Sequence, residues 1–514
     1  MKKLPIGVQD YKKLIIENYI YIDKTKYILE LANSGIPTFL SRPRRFGKSL
    51  TVSTLYYLFK GEKELFKDTY IYDKWEFKEY PVIKLDMSDN TLTTYDEFID
   101  SLNERIEELY REYDISPIKN NLPTKFGYLI TELSKKYKEK TVILIDEYES
   151  PILEHINNKE KAEEFRAFLR EFYKKVKTKD EYIKFVFITG ITKFTKTGVF
   201  SALNNLNDIS LDTDYSQMFG YTQNELEYYF KEYIEQTAKK FNITTEELLK
   251  EMKKYYNGFS FDGEHYVYNP FSILKFFQKK KFQNYWFESG SPSFLSKYIE
   301  DKKITYEDLV KNTVSSDDFT TREIEDANAN IFFTQAGYLT FKGKEMYGFE
   351  EEYILDYPNL EVKDSFSRLI LESNYKVEIK EIKEINKTVW KKLKNNDIKG
   401  LIEEIKKIIS AIPYNLHKKE EKYYHSLIFT IIASAGIDVK AEELTNLGRS
   451  DLVIDFDERI YLFEIKVDKS AIDAINQIKE KKYYEKYKGK EIYIIGINID
   501  SEKRNIDDYI IEKI

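Results

Sequence analysis

Residues 36–49 read Ile-Pro-Thr-Phe-Leu-Ser-Arg-Pro-Arg-Arg-Phe-Gly-Lys-Ser. The apolar run Ile36 to Ser41 reads as a short buried strand, and Lys48 to Lys60 reads as a helix. Between them, Arg42-Pro43-Arg44-Arg45-Phe46-Gly47-Lys48-Ser49 has the strand–loop–helix context of a phosphate-binding loop. A phosphate at a helix N-terminus meets unpaired N–H groups and the positive end of the helix dipole. Gly47 lets the backbone approach closely, Lys48 is placed to reach the β- and γ-phosphates, and the Ser49 hydroxyl is a candidate Mg²⁺ ligand. Arg44, Arg45 and Phe46 complete the candidate nucleotide-binding loop. The match is incomplete: Arg42 stands where the usual first glycine belongs, and Pro43 follows it. A basic loop that merely caps a helix is the competing reading.

Further along, continuous apolar strands alternate with helices. Pro81 to Met87 (PVIKLDM), Thr141 to Asp146 (TVILID) and Phe185 to Thr189 (FVFIT) read as strands. The segment from Tyr95 to Lys138 reads as helix, broken near Pro117 and Pro123. This alternation argues for a parallel sheet covered on both faces. The strand Val142 to Ile145 runs into Asp146-Glu147, which supports nucleotide binding independently of the loop. Asp146 is expected to hold Mg²⁺ through water, and Glu147 to orient and activate an attacking water. A buried strand with acids at its exit is the plain alternative. Thr189 and Thr192 at the next strand end are weaker candidates for sensing the γ-phosphate.

The 514 residues suggest roughly two to four domains. Apolar residues make up 42% and charged residues 33%, enough apolar material for real cores. The net charge of -7 gives no global basic signal for nucleic acid, though a nuclease needs only a local basic groove. The absence of cysteine excludes disulfides, thiolate zinc sites and Cys nucleophiles. Four histidines disfavour a His-rich metal site, while oxygen-ligated metals stay open. The start MKKLPIGVQDYKKL lacks the apolar core of a signal peptide. No run of about 18 uncharged apolar residues occurs, so no membrane span and a cytoplasmic location are expected.

Several segments together resemble a known family: LPIGVQDYKKLIIENYIYIDKT, FLSRPRRFGKSL, LIDEYESPI, FITGITKF with FSALNNLNDIS, YYNGFSF and FFTQAGYLT. They look like the AAA-ATPase-like proteins that carry a C-terminal PD-(D/E)XK nuclease-superfamily domain. The likeness covers nearly the whole chain, and Arg42 in the loop is usual in that family. It implies an α/β fold: a P-loop NTPase parallel sheet, a mostly helical middle and a C-terminal restriction-endonuclease-like α/β domain. The expected division is 1–215 for the P-loop domain, 216–360 for a helical lid, 361–412 for a charged helical connector and 413–514 for the nuclease-like domain. Within the middle region, 223–240, 244–256 and 270–281 read as amphipathic helices, and Tyr255 to Pro270 as a turn-strand element.

The last hundred residues carry a second constellation. Tyr423 to Ala435 reads as helix, Gly448 to Asp455 and Arg459 to Val467 as two strands, Ala471 to Tyr487 as helix, and Glu491 to Ile497 as a closing strand. Glu464 and Lys466 are two apart on a strand and so share a face. A hairpin brings Asp451 beside them. Asp451, Glu464 and the carbonyl of Ile465 then make an oxygen site for Mg²⁺ or Mn²⁺, with Lys466 positioning or deprotonating water. The set looks like a PD-(D/E)XK motif with Ser450 in place of the proline. Against this, E-x-K on a strand is often only a solvated ion pair. Gln477 and Tyr483 are candidate contacts to a substrate backbone, with helix packing as the alternative. His425 lies where related domains often place an acidic residue supporting the metal, and a satisfied core or surface histidine is the plainer reading. Lys479, Lys481, Lys482, Lys486 and Lys488 form a local basic patch that would track a phosphate backbone, or simply a solvated face.

The expected activity is a Mg²⁺-dependent nuclease coupled to an ATP-binding, hydrolysing switch. Nucleic acid is the expected partner, DNA favoured over RNA, and a homo-oligomer stays open. The alternative is an ATP-dependent regulatory or scaffold protein whose nuclease-like domain binds nucleic acid or a partner without cutting.

Overall fold

A computed structural model of the chain describes residues 1–90, 93–155, 158–193, 199, 203, 205–290, 295–310, 313–319, 328–445, 448–487 and 489–514; for 288–290, 297, 307 and 442–450 only the backbone is described. The chain forms two compact units, residues 1–285 with 312–358, and residues 286–311 with 359–514.

The first unit is built on five strands: β1 (Thr38–Ser41), β2 (Val82–Asp86), β3 (Thr141–Asp146), β4 (Ile183–Gly190) and β5 (Asn207–Asp208). Their order is β2-β3-β4-β1-β5, and every neighbouring pair is parallel. All six residues of β3 are buried, as a strand covered on both faces requires. The helices Lys48–Phe59, Tyr95–Glu112, Leu122–Tyr137 and Lys159–Thr178 connect them. The break expected near the two prolines is real. The first helix ends at Glu112, and Asn121 caps the second with Pro123 in its first turn, where a missing N–H costs nothing. Parallel order places the exits of β1, β3 and β4 on one edge of the sheet, the edge where α/β folds carry ligands.

Helices Gln223–Tyr229, Lys231–Phe241, Thr245–Tyr256 and Pro270–Lys279 follow. The first two divide the expected 223–240 helix at Phe230. Capping boxes at Thr222/Glu225 and Thr244/Glu247 fix two of the starts. Phe230, Ile234, Met252, Tyr256, Phe276 and Phe277 are core residues of this region. The middle also holds a small antiparallel sheet that the sequence reading did not resolve: β6 (Thr313–Ser315), β7 (Thr340–Tyr347) and β8 (Glu350–Asp356), in the order β6-β8-β7.

The second unit holds the helices Leu360–Tyr375, Ile379–Lys394, Ile398–Ala411 and Glu421–Ser434, then β9 (Val439–Thr445), β10 (Gly448–Phe456), β11 (Arg459–Val467), helix Ala471–Lys481, β12 (Glu491–Asp500) and β13 (Asn505–Lys513). The sheet order is β13-β12-β11-β10-β9. Only β11 and β12 run parallel, with helix Ala471–Lys481 as their crossover. The expected helix to Tyr487 stops at Lys481, because Lys482 turns left-handed at φ 48° and a short 3₁₀ segment, Tyr483–Tyr487, follows. The strand expected to close the domain, β12, lies inside the sheet, and β13 forms the edge. Helix Glu421–Ser434 is buried from Tyr423 to Ser434.

Candidate functional sites

The first site grows from the exits of β1 and β3. Gly47 caps helix Lys48–Phe59 with φ 100°, a backbone conformation that favours glycine. Arg45 is also left-handed, at φ 69°. Lys48 is buried, and its ammonium donates to the carbonyls of Arg42 (3.0 Å) and Pro43 (3.3 Å). It also stands 3.4 Å from Oε1 of Glu147. Ser49 hydrogen-bonds the Asp146 side chain. Burial, helped by the charge of Glu147, pushes the Asp146 carboxyl up to about 6, while Ser49 and Lys48 pull it down. Glu147 itself sits at φ 48°. Backbone strain of this kind at a non-glycine residue gathers at functional sites. The structure therefore brings Lys48, Ser49, Asp146 and Glu147 together. Phe46 is committed to packing, edge-on to Phe259 (5.0 Å) and Phe261 (5.5 Å), so only its backbone faces a ligand role. Arg45 lies over the Phe271 ring, and Arg44 is half-buried.

Arg42 explains its own departure from the glycine pattern. Its guanidinium is buried and donates to the carbonyls of Ser41 (2.9 Å), Ser210 (2.7 Å) and Tyr215 (3.3 Å). It also stacks 4.1 Å over Phe261. Burial draws its pKa down to about 9 against the pull of Asp208 and Asp262. The side chain ties the start of the loop to the segment that follows β5.

Thr189 is fully buried and its hydroxyl donates to Leu40 O (2.9 Å), so it braces β4 against β1. The hydroxyl of Thr192 is buried without a hydrogen-bond partner. A residue the sequence reading missed is Glu149. It is fully buried, and its Oε1 accepts from the N–H groups of Ile191 and Thr192, the latter at 3.1 Å. Burial, then the charge of Glu147, raises its carboxyl to about 8 against these N–H groups. A Cβ at Gly190 would overlap that carboxylate, which is why β4 ends in glycine. Nothing in the run Asp146-Glu147-Tyr148-Glu149 distinguishes this acid from its neighbours before the fold is seen.

The second site lies on β10 and β11. The register that pairs Leu452 with Phe463 carries Asp451 to the level of Glu464. Asp451 Oδ2 accepts from the N–H of Ile465 at 2.7 Å. His425 Nε2 lies 2.7 Å from the Asp451 carbonyl and must be the donor, since a carbonyl only accepts. Glu464 is fully buried; its Oε1 accepts from Lys466 (2.9 Å) and from the amide of Gln477. Its Oε2 is buried with no partner. Burial and then the Asp451 charge push Glu464 up to about 7, and burial likewise raises Asp451. Burial alone lowers the Lys466 ammonium, but Glu464, Asp451 and Glu421 outweigh it and leave it above its ordinary value.

Gln477 thus points inward to Glu464, and the buried Tyr483 hydroxyl sits 3.5 Å from its amide. Glu421 is a second missed residue. It opens the helix that carries His425, and its carboxylate lies 3.9 Å from Lys466. The sequence hides it in the run Lys418-Lys419-Glu420-Glu421-Lys422. Among the basic residues, Lys479 pairs with Glu512 and Lys482 with Glu485; Lys488 and the Ser450 side chain lie outside the described residues.

Both sites fit the groups their motifs imply. An orphaned buried carboxylate oxygen beside a second carboxylate suits a divalent cation, since native interiors rarely leave such an atom unpaired. Among the described residues no group of three or more His, Asp or Glu forms a metal site by side chains alone, so a backbone oxygen or water would have to complete it. A loop with a left-handed glycine, a buried lysine and a hydroxyl–carboxylate pair suits a nucleotide triphosphate with Mg²⁺.

These features are those of a P-loop ATPase-type α/β core and a nuclease-like α/β domain. Residues 5–200 match the family model for a predicted AAA-ATPase, and residues 419–509 match that for the PD-(D/E)XK nuclease superfamily. The chain is 33% identical to the "Uncharacterized protein in vnfD 5'region" of Azotobacter chroococcum mcd 1, an alignment that covers all of this chain and 99% of that protein. The chain belongs to this family of AAA-ATPase-like proteins with a C-terminal PD-(D/E)XK nuclease-superfamily domain. Among the described residues no helix is long and apolar enough to cross a membrane.

Proposed function

We propose that the protein is a metal-dependent nuclease governed by an ATP-binding and hydrolysing switch. The observation that carries the nuclease half is Glu464: a buried carboxylate with one oxygen held by Lys466 and Gln477 and the other unpartnered. In this reading Asp451, Glu464 and the carbonyl of Ile465 hold Mg²⁺ or Mn²⁺. The cation would stabilise charge on the scissile phosphate and acidify water. Lys466 positions that water and takes part in its deprotonation. Gln477 keeps Glu464 in one rotamer, Tyr483 backs Gln477, and His425 and Ile465 N–H hold Asp451. Nucleic acid, DNA before RNA, is the substrate.

In the first unit, residues 44–49 cradle the phosphates of ATP, Ser49 and Asp146 hold Mg²⁺, and Glu147 orients water. Glu147 stands 3.4 Å from Lys48, so a water that it orients would lie beside the phosphates. A cytoplasmic location accords with this chemistry.

The test is cleavage of plasmid, single-stranded DNA and RNA with Mg²⁺ or Mn²⁺. Wild type and Glu464→Ala behaving alike on every substrate would remove the nuclease reading. One observation favours a second reading, an ATP-dependent regulator that grips nucleic acid or a partner without cutting: Asp451 Oδ2 is already engaged by Ile465 N–H. Retained nucleic-acid binding without cleavage supports that alternative.

A further inference from the structure

The hairpin of β7 and β8 turns through Met346-Tyr347-Gly348-Phe349, where turns ordinarily carry polar residues. Phe349 is fully exposed, and Met346 and Tyr347 are each 57% exposed. Acids flank this tip on both strands: Glu345 lies opposite Glu352, and Tyr347 opposite Glu350. Like charges placed across a hairpin weaken it. The nearby Lys344 is taken by Glu264 and Glu351, so among the described residues Glu345, Glu350 and Glu352 have no cation in ion-pair reach. Acids that served only solubility would leave the aromatic tip unexplained. A partner with cations around an apolar surface relieves both features. An anionic lipid surface or a nucleic-acid backbone would meet the carboxylates with like charge.

The chain itself carries a surface of the required kind. Helix Ile379–Lys394 buries Ile382, Ile385, Val389 and Leu393. Its other side exposes Lys380, Lys383, Lys387, Lys391 and Lys394, at the three- and four-residue steps that keep side chains on one helix face. The stripe runs roughly 21 Å at 1.5 Å per residue. Among the described residues Lys394 alone of these has an acid in reach, Asp457 at 3.2 Å. Trp390 is 46% exposed and stands three residues from Lys387 and four from Lys394, on the border of the stripe. A row of ammonium groups beside an indole complements carboxylates around a phenylalanine, by ion pairing and by ring packing.

We propose that the β7–β8 hairpin of one copy docks on helix Ile379–Lys394 of a second copy. Phe349 and Tyr347 pack on Trp390, and Glu345, Glu350 and Glu352 pair with the lysine stripe. Exchanged in both directions, the contact closes a twofold dimer; passed on in one direction, it makes a ring or an open array.

The experiment is analytical ultracentrifugation of the full chain up to roughly 100 µM, the range in which a moderate contact is populated. The variants are a hairpin reversal (Glu345→Lys, Glu350→Lys and Glu352→Lys together), a stripe reversal (Lys380→Glu, Lys383→Glu and Lys387→Glu together) and Phe349→Ser. The last changes one fully exposed side chain and keeps the test open should a triple variant fail to fold. Wild type is expected to be a dimer or larger, with its dissociation constant raised at least about tenfold in each variant, the scale of a lost anchor or a like-charge contact. A mixture of the two reversals should associate again, because each reversed tip then faces a stripe of opposite sign. Wild type that stays monomeric overturns the inference, as does association that no variant weakens, or a mixture of the reversals that stays apart. A monomeric wild type whose stripe lysines instead bind a labelled oligonucleotide gives the helix to nucleic acid and overturns it equally.

Discussion

The ammonium of Lys48 and the carboxylate of Glu147 face each other at 3.4 Å, although 98 residues of chain separate them and the two strands that carry them, β1 and β3, are not neighbours. The lysine also donates to two carbonyls of its own loop, so its ammonium is held between the loop and the Glu147 carboxylate.

Lys48→Ala should lower ATP affinity at least about tenfold, the scale of one strong charge-assisted contact. Titration calorimetry with Mg-ATP checks this. Unchanged affinity would remove the loop from nucleotide binding.

Glu147→Gln should keep ATP binding and slow hydrolysis by about 10²–10⁴-fold, the usual worth of a positioned general base. Phosphate release under saturating ATP is the readout. Equal rates in the two proteins would mean that Glu147 serves only as the resting partner of Lys48.

Gly190→Ala should destabilise the chain by about 1–3 kcal/mol, because the new methyl meets the Glu149 carboxylate in a packed site. The double variant with Glu149→Ala should recover part of that loss, since residues in contact are not additive. Denaturant midpoints measure both, and strict additivity would show that the two positions do not touch.

The same carboxylate makes stability depend on pH. Its folded pKa is raised to about 8 from an ordinary 4.5. Between those values the unfolded chain has lost the proton and the folded chain keeps it. The folded state binds the extra proton, and stability falls as pH rises through that window. Glu149→Gln should flatten the decline, seen in denaturant midpoints taken from pH 5 to pH 8. An equal slope in the variant would assign the effect to other groups.

At the second site, wild type and Glu464→Ala should both stay folded without metal, and cleavage should appear only in wild type once metal is added. Mn²⁺ or Mg²⁺ at roughly 100 times its dissociation constant should stabilise wild type by about 2.7 kcal/mol and leave Glu464→Ala unmoved. A melting curve insensitive to metal in wild type would count against the cation site whatever the cleavage assay gives.

Sequence carried the parts of this fold whose pattern is local. TVILID and RIYLFEIKV are apolar enough, and long enough, to be read as strands at their observed limits. The hairpin of β7 and β8 was not legible, because KGKEMYGFEEEY spends its alternation on charged residues and reads as surface. Strand order was not legible either, since which crossover lands beside which strand depends on packing. The same division holds at the sites. Lys48, Asp146, Asp451, Glu464 and Lys466 stand out by spacing. Glu149 and Glu421 do not, because their character comes from burial and from neighbours distant in sequence.

The strand order also bears on how the first site is braced. Lys48 follows the loop leaving β1, Glu147 follows β3, and β4 runs between them, so the pair bridges two strand spacings, roughly 10 Å. On the β3 side, Glu149 fastens the same segment to the N–H groups just past β4. The Lys48–Glu147 pair is thus a girder laid across three strand ends, and Glu149 fastens its β3 end to the segment beyond Gly190.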